Sequence, residues 1–237
     1  LDWQIINKDE EEAQNSKVLL GAAPKNIVDS YLNILDSLGL STVATELEDL
    51  SIARTMITGN KTYMGEARAI LDLGASRSTI IIYDKGSIQF SQMINFSGDL
   101  IDTALIQALK IDRETAEKLK IKNGLSYDPA YPLYLKAVNE LTEQLLNDIT
   151  RTIAYYKNHF PDPNPVTHIT MSGGVSSLKN LDKIITKKLA VGAYPGNAWK
   201  NIYNEKLIGR DRYELLSYAS AIGLGLRACE EPKNFKN

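Results

Sequence analysis

Apolar positions change their period several times along the chain, and each change predicts an element. Residues 1–6 alternate weakly and lead into the charged run 8–12, the pattern of a strand followed by a solvated hairpin loop. Residues 17–23 (KVLLGAA) form a short continuous apolar run, as expected of a strand buried on both faces. Pro24 then stands where a first helical turn tolerates it, Val28, Tyr31, Leu32, Leu35 and Leu38 recur at helical spacing, and Gly39 closes the helix. A second strand over 40–46 and a second helix over 47–58 complete a strand–helix–strand–helix path, the sign of a parallel sheet.

A loop over 59–65 divides the chain. Three strands follow in quick succession over 67–73, 79–83 and 87–94, joined by turns at 74–78 and 84–86, which is the spacing of an antiparallel meander. Helices are predicted over 99–109 and 113–121. Pro129 and Pro132 introduce a long helix whose Tyr134, Val138, Leu141, Leu145, Ile149, Ile153 and Tyr156 keep one apolar face. The segment PDPNP (161–165) stops it. A strand over 166–171, a helix over 176–189, a final helix over 212–227 and a frayed tail from 230 complete the pattern.

Composition narrows the class. The 237 residues, 43% hydrophobic and 24% charged, suit a globular α/β protein of one or two domains, not a fibrous or disordered chain. The net charge of −2 offers no basic excess for nucleic acid. A single cysteine, Cys229, rules out an intrachain disulfide and fits a reducing, cytoplasmic compartment. No apolar stretch approaches the ~18 residues of a spanning helix. No Gly-Lys pair, His-Glu-x-x-His or Gly-x-Ser-x-Gly occurs, so Walker A, zincin and serine-hydrolase chemistries drop out. Gly223-Leu-Gly225 superficially matches a dinucleotide fingerprint but falls within a helix, where it would let that helix approach a neighbour closely. His159 and His168 read as structural residues.

Three stretches carry candidate chemistry. In Asp72-Leu-Gly74-Ala-Ser76-Arg-Ser-Thr79 a buried strand ends in a carboxylate, and a tight turn opens at Gly74. Successive backbone N–H groups in such a turn form a nest for an anion. Asp72 beside phosphates would be repelled unless Mg²⁺ intervened, held through water. In Ser172-Gly173-Gly174-Val175-Ser176 a strand runs into paired glycines, where a flat ring can lie against bare backbone, and then into a helix with Ser176 as its N-cap. Glu117 and Lys120 share one helix face, where a carboxylate can accept from ribose hydroxyls and an ammonium can meet a nucleoside. Each stretch alone also has an ordinary structural reading: a hairpin, a tight strand-to-helix turn and a solvated helix.

The three occur in a telling order, with Ser97-Gly98-Asp99 opening a helix between them. In that order the chain resembles the actin-like ATPases, the superfamily of actin, the seventy-kilodalton heat-shock chaperones, FtsA and PilM. Leu-Leu-Gly-Ala-Ala-Pro-Lys25, Val28-Asp29-Ser-Tyr31, Glu46-Leu-Glu48-Asp-Leu-Ser-Ile-Ala53-Arg54, Ile149-Thr-Arg151-Thr-Ile-Ala-Tyr155-Tyr156 and Ala221-Ile-Gly-Leu-Gly-Leu-Arg227 look most like the PilM family of type IV pilus assembly.

The resemblance implies an actin-like ATPase fold with ribonuclease H-like lobes. Residues 1–64 would be the remainder of a first lobe, 65–228 a complete second lobe with a helical insertion at about 100–150, and 229–237 a flexible tail. It also implies that the chain is an N-terminally truncated fragment. Asp72, Gly74, Ser76 and Thr79 match a phosphate loop, Gly98 a further nucleotide contact, Glu117 and Lys120 the ribose contacts, and Gly173, Gly174 and Val175 the adenosine motif. Glu48 falls where relatives carry a residue near the attacking water. Ser97 replaces a usual Gly. The implied ligands are ATP and Mg²⁺, the latter at Asp72, and the implied role is a nucleotide-gated adaptor, at most a weak ATPase. Such an adaptor would bind the cytoplasmic tail of a PilN-like membrane protein and lie peripheral to the inner membrane through that partner. Self-association remains open. An FtsA-like cell-division protein and a sugar or acetate kinase of the same fold are the competing readings.

Overall fold

The computed structural model describes residues 2–5, 18–59, 61–202 and 214–230. At its centre is a five-stranded mixed sheet of order β5-β4-β3-β6-β7. β3 (Ala67–Leu73), β4 (Ser78–Asp84) and β5 (Ser87–Ile94) form the predicted antiparallel meander. β6 (Val166–Ser172) lies parallel to β3, and β7 (Gly192–Pro195) parallel to β6. The crossover from β5 to β6 carries α3 (Gly98–Leu109), α4 (Arg113–Asn123) and the 26-residue α5 (Tyr134–His159).

The side-chain period of two sorts the strands onto two cores. Ala67, Ala69, Leu71 and Leu73 of β3, with Ile80 and Ile82 of β4, face α3 and α5, where Ile101, Leu105, Tyr134, Val138, Leu145, Ile149 and Tyr156 meet them. Ile70 and Ile81 point the other way, onto Ile52 and Met56 of α2 (Glu48–Met56) and onto Leu215, Leu216 and Ala219. These last residues belong to a 3₁₀ turn (Glu214–Tyr218) and to α7 (Ala219–Glu230). The sheet is thus covered on both faces, as its apolar runs require. α2 and α7 cross at Gly223, where an added Cβ would stand 1.9 Å from the Ser51 carbonyl oxygen. The decoy glycine therefore does what its helical position suggested.

The first segment departs from expectation. β2 (Val18–Gly21) pairs antiparallel with β1 (Asp2–Ile5), and Val18 and Leu20 are exposed, so this strand is not buried on both faces. Only Leu19 packs against the second core. α1 (Lys25–Ser37) ends at Gly39 as predicted, with φ +73, but buries none of its residues fully. Residues 40–46 form no strand. The run has β-compatible residues but no ladder partner among the described residues, and side-chain contacts hold it instead. Glu46 accepts from Arg54 at 2.7 and 3.0 Å and from Arg227 at 2.8 Å, tying this segment to α2 and α7. The charged run 8–12 and most of the frayed tail lie outside the described residues.

Further differences fall toward the end of the chain. The helix expected over 176–189 is split into a 3₁₀ turn (Gly174–Ser177) and α6 (Leu181–Leu189), with Asn180 in a left-handed conformation between them. Ser176 is not an N-cap: its hydroxyl donates to the Gly173 carbonyl at 2.5 Å. β7 escaped the sequence reading because Gly192–Pro195 holds four residues without alternation. Of the final helix expected over 212–227, residues 214–218 are 3₁₀ and α-helix begins at Ala219. Among the described residues, no helix is long and apolar enough to cross a membrane.

Candidate nucleotide cleft

The candidate site forms where β3 and β6 end and where β4 and α3 begin. Asp72 is the penultimate residue of β3, level with Thr79 on β4 and Ser172 on β6. Gly74 turns the chain, its amide donating to Arg77 at 3.0 Å, and a Cβ there would stand 2.5 Å from the Arg77 oxygen. Ala75, Ser76 and Arg77 form the exposed apex. The Gly74 carbonyl accepts from the Gly98 amide at 3.1 Å, and the Ala75 carbonyl from Asp99 at 2.8 Å. Ser97 caps Leu100 through its hydroxyl at 3.2 Å. These bonds use the amides at the start of α3 that a bare helix N-terminus would offer to an anion. Gly98 therefore serves by close approach: a Cβ there would lie 3.3 Å from Val175 Cγ2 and 3.5 Å from Ala75 Cα.

The paired glycines close the same corner. Gly173, at φ +80, leaves no room for a Cβ, which would stand 2.3 Å from the Leu73 oxygen. Its amide donates to Leu216 at 3.2 Å, and a Cβ on Gly174 would lie 3.2 Å from Ser217 Oγ, so the turn is braced by the 3₁₀ segment before α7. α4 docks behind it. Leu125 N–H donates to the Lys179 carbonyl at 2.9 Å, and Lys179 Nζ to the Lys122 carbonyl at 2.6 Å. Lys120 points back to α3, bonding Asp102 Oδ2 at 2.7 Å and the Gly98 carbonyl at 3.4 Å. Glu117 stands exposed on the same helix.

Asp72 lies in an electrostatically hostile place. Burial pushes its carboxyl up to about 6, Glu48 and Asp49 push the same way, and Ser172 and Arg77 only partly oppose them. The hydroxyl of Ser78 is buried at this corner without a hydrogen-bond partner among the described residues. Carboxylate and hydroxyl oxygens are the hard donors that suit Mg²⁺, directly or through its waters, so the residues fit that ion. Glu48 opens α2 and reaches the hairpin through a solvent-exposed ion pair with Arg77 at 3.0 Å. Its neighbour Asp49 accepts from Ser91, and burial raises its carboxyl pKa.

Asp72, Gly74, Gly98, Lys120, Gly173, Gly174 and Val175 are thus gathered around one corner, with Thr79 alongside and Ser76 at the apex. Glu48 faces it from across the hairpin. Sequence reasoning missed Asp102, Arg77, Asp49 and Ser172. None carries a local signal, because their partners lie 18 to 100 residues away. The two histidines are structural: His159 stacks on Tyr155 with ring centres 4.3 Å apart, and His168 Nδ1 lies 2.9 Å from Thr167 Oγ1.

Known proteins share this fold. The structure described as a PilM-PilN type IV pilus biogenesis complex superposes with a TM-score of 0.76 at 20% identity, over 95% of this chain and 65% of that one. MreB5 of Spiroplasma citri bound to ADP gives a TM-score of 0.65 at 15% identity, over 92% of this chain and 69% of that one. A cell division protein FtsA of Streptococcus pneumoniae is 22% identical over 111 residues, covering 47% of this chain and 24% of its own length. The fold is the actin-like ATPase fold, and the chain spans about two thirds of the pilus protein it superposes on. The family profile described as type IV pilus assembly protein PilM matches residues 1–229, so the chain belongs to the PilM family of type IV pilus assembly proteins.

Proposed function

We propose that this chain is an ATP-binding scaffold of the type IV pilus inner-membrane assembly platform, or of the related type II secretion platform. The observation that carries the reading is the convergence of the Asp72–Gly74 turn, the start of α3, the Gly173–Gly174 turn and Lys120 on one corner. Within this reading residues 1–64 belong to the first lobe, and 65–228 to the second with a helical insertion at about 100–150. The phosphates lie over the 74–77 apex, with Ser76 and Thr79 as hydroxyl donors. The adenosine lies against Gly173, Gly174 and Val175, and Glu117 and Lys120 serve the ribose. Asp72 would hold Mg²⁺ through water, and the ion would supply charge neutralisation for the phosphates. Glu48, held at the hairpin by Arg77, positions water in any slow hydrolysis; the chemistry would be positioning and electrostatics.

The γ-phosphate would favour one arrangement of the lobes, making the protein a nucleotide-gated adaptor. Family membership and the likeness to a PilM-PilN complex support the cytoplasmic tail of a PilN-like membrane protein as partner. The protein would then be cytoplasmic and reach the membrane through that tail. MreB5 structures bound to ADP and to AMPPNP support a nucleotide in the cleft.

The test is a calorimetric titration of Mg-ATP into the protein and its Asp72→Ala variant, repeated with a PilN-type tail peptide. Saturable Mg-ATP binding that weakens at least tenfold in Asp72→Ala is expected; equal binding by both sinks the phosphate-loop assignment. The FtsA likeness supports a cell-division role as the second reading, and loss of all peptide binding would favour it.

A further inference from the structure

Lys120 is the one cation the cleft reading assigns to the nucleoside, yet its charge is already spoken for. Its ammonium lies 2.7 Å from Asp102 Oδ2, and the two side chains are only 14% and 7% exposed. A second donor reaches the Gly98 carbonyl at 3.4 Å. An ammonium carries three donors, so one remains. Asp102 stands one turn into α3, below Gly98, and its Oδ1 is buried without a hydrogen-bond partner among the described residues. Among the described residues, that carboxylate therefore has Lys120 as its hydrogen-bonding cation and no other donor to hold it.

We propose that Asp102 is a positioning residue that makes Lys120 a reader of the neutral nucleoside and not of the phosphates. The inference rests on the reading of this corner as a nucleotide site. A buried ammonium paired with a carboxylate forms a nearly neutral unit, so it exerts little net pull on an anion. What it still offers is a single directed N–H, suited to a ribose hydroxyl oxygen or a purine ring nitrogen. Asp102 and Gly98 both belong to the start of α3, which Gly74 and Ala75 tie to the phosphate turn. The direction of that last donor is thus set by the same helix that sets the turn. Free of Asp102, a lysine on this flexible four-carbon stem would turn toward any nearby phosphate.

The test separates the two ends of the ligand. Affinities for adenosine, pyrophosphate and Mg-ADP are measured by calorimetry or ligand-observed NMR on the protein, on Asp102→Asn, on Asp102→Glu and on Lys120→Met. Asp102→Asn is expected to weaken adenosine about tenfold, the scale of one charge-assisted hydrogen bond, while pyrophosphate holds or tightens. Asp102→Glu is expected to recover part of the adenosine affinity. Lys120→Met is expected to lose adenosine affinity to a similar degree without loss of pyrophosphate. The proposal is overturned if adenosine affinity in Asp102→Asn stays within about twofold of the parent, the range of a rim contact. It is equally overturned if Lys120→Met loses pyrophosphate, since the lysine would then serve the phosphates. Parallel loss of both ligands in Asp102→Asn, with the adenosine-specific loss absent from Lys120→Met, assigns Asp102 to packing alone and also overturns it. If the parent binds none of the three ligands, the nucleotide reading itself fails and the inference falls with it. Binding of Mg-ADP by a parent whose variants behave alike refutes only the inference.

Discussion

Replacing Asp72 by Asn should stabilise this protein, and the gain should depend on pH in a defined window. Asp72 sits between Thr79 and Ser172 at the end of β3, and burial raises its carboxyl from an ordinary 3.8 to about 6. The folded state thus holds this proton more tightly than the unfolded state does. Below about pH 4 the group is protonated in both states and costs nothing; stability falls as pH rises from about 4 to about 6, and the full cost persists above. At ~1.4 kcal/mol per tenfold, the ceiling is ~3 kcal/mol. Residual water at this half-buried site trims the figure to ~1–2 kcal/mol. Asp72→Asn keeps the shape and removes the charge, so at pH 7.5 its melting temperature should rise by about 2–8 °C. The gain should be roughly halved at pH 5 and absent near pH 4. Circular-dichroism melts of both proteins from pH 4 to 8 measure this directly. A loss of stability at pH 7.5, or a gain that does not vary with pH, would refute the argument. The same substitution removes the charge proposed to meet Mg²⁺, so stability and ligand binding should move in opposite directions.

The crossing of α2 and α7 makes a second target. Gly223→Ala forces a Cβ to within 1.9 Å of the Ser51 carbonyl oxygen, and separating the helices should cost ~3 kcal/mol. Gly225→Ala, two residues on and facing open space, should instead be neutral or stabilising by up to ~1 kcal/mol. Equal melting temperatures for the two variants would contradict the close approach. Glu46→Gln removes the negative charge shared by Arg54 and Arg227 and turns one of its two acceptor oxygens into a donor; the arginine side chains are 22% and 29% exposed against 3% for Glu46. Urea unfolding should show a loss of ~2–3 kcal/mol, below the usual cost of stranding a fully buried charge because both guanidinium groups reach water. A change under ~0.5 kcal/mol would place the network among ordinary surface pairs.

Elements with a strong local period were legible along the chain. The apolar runs of β3 and β4 and the apolar stripe of α5 announce buried elements, and the structure buries them as the pattern requires. Where the period was short or absent, reading failed. Gly192–Pro195 is a strand because it lies beside β6, not because its four residues alternate. Residues 40–46 look extended but find no ladder, since a strand needs a partner that composition cannot supply. Ser176 looked like a cap because Ser commonly is one. Its hydroxyl turns to the Gly173 carbonyl once that glycine takes a positive φ.

The same division holds in the cleft. Asp72, the glycines of the two turns and the Glu117–Lys120 helix face could be picked out because turn chemistry and helical spacing act over a few residues. The sequence by itself determined the meander, the long helix, both glycine turns and the order of motifs that marks the family. Only the tertiary structure decided that Lys120 belongs to Asp102, that Arg77 holds Glu48, that Glu46 gathers Arg54 and Arg227, and that the α3 amides are already taken by Gly74 and Ala75. The reason is physical. Backbone preference and side-chain periodicity are local, whereas the partner of a buried charge is chosen by which helices and strands pack together, across 18, 29 and 181 residues of chain.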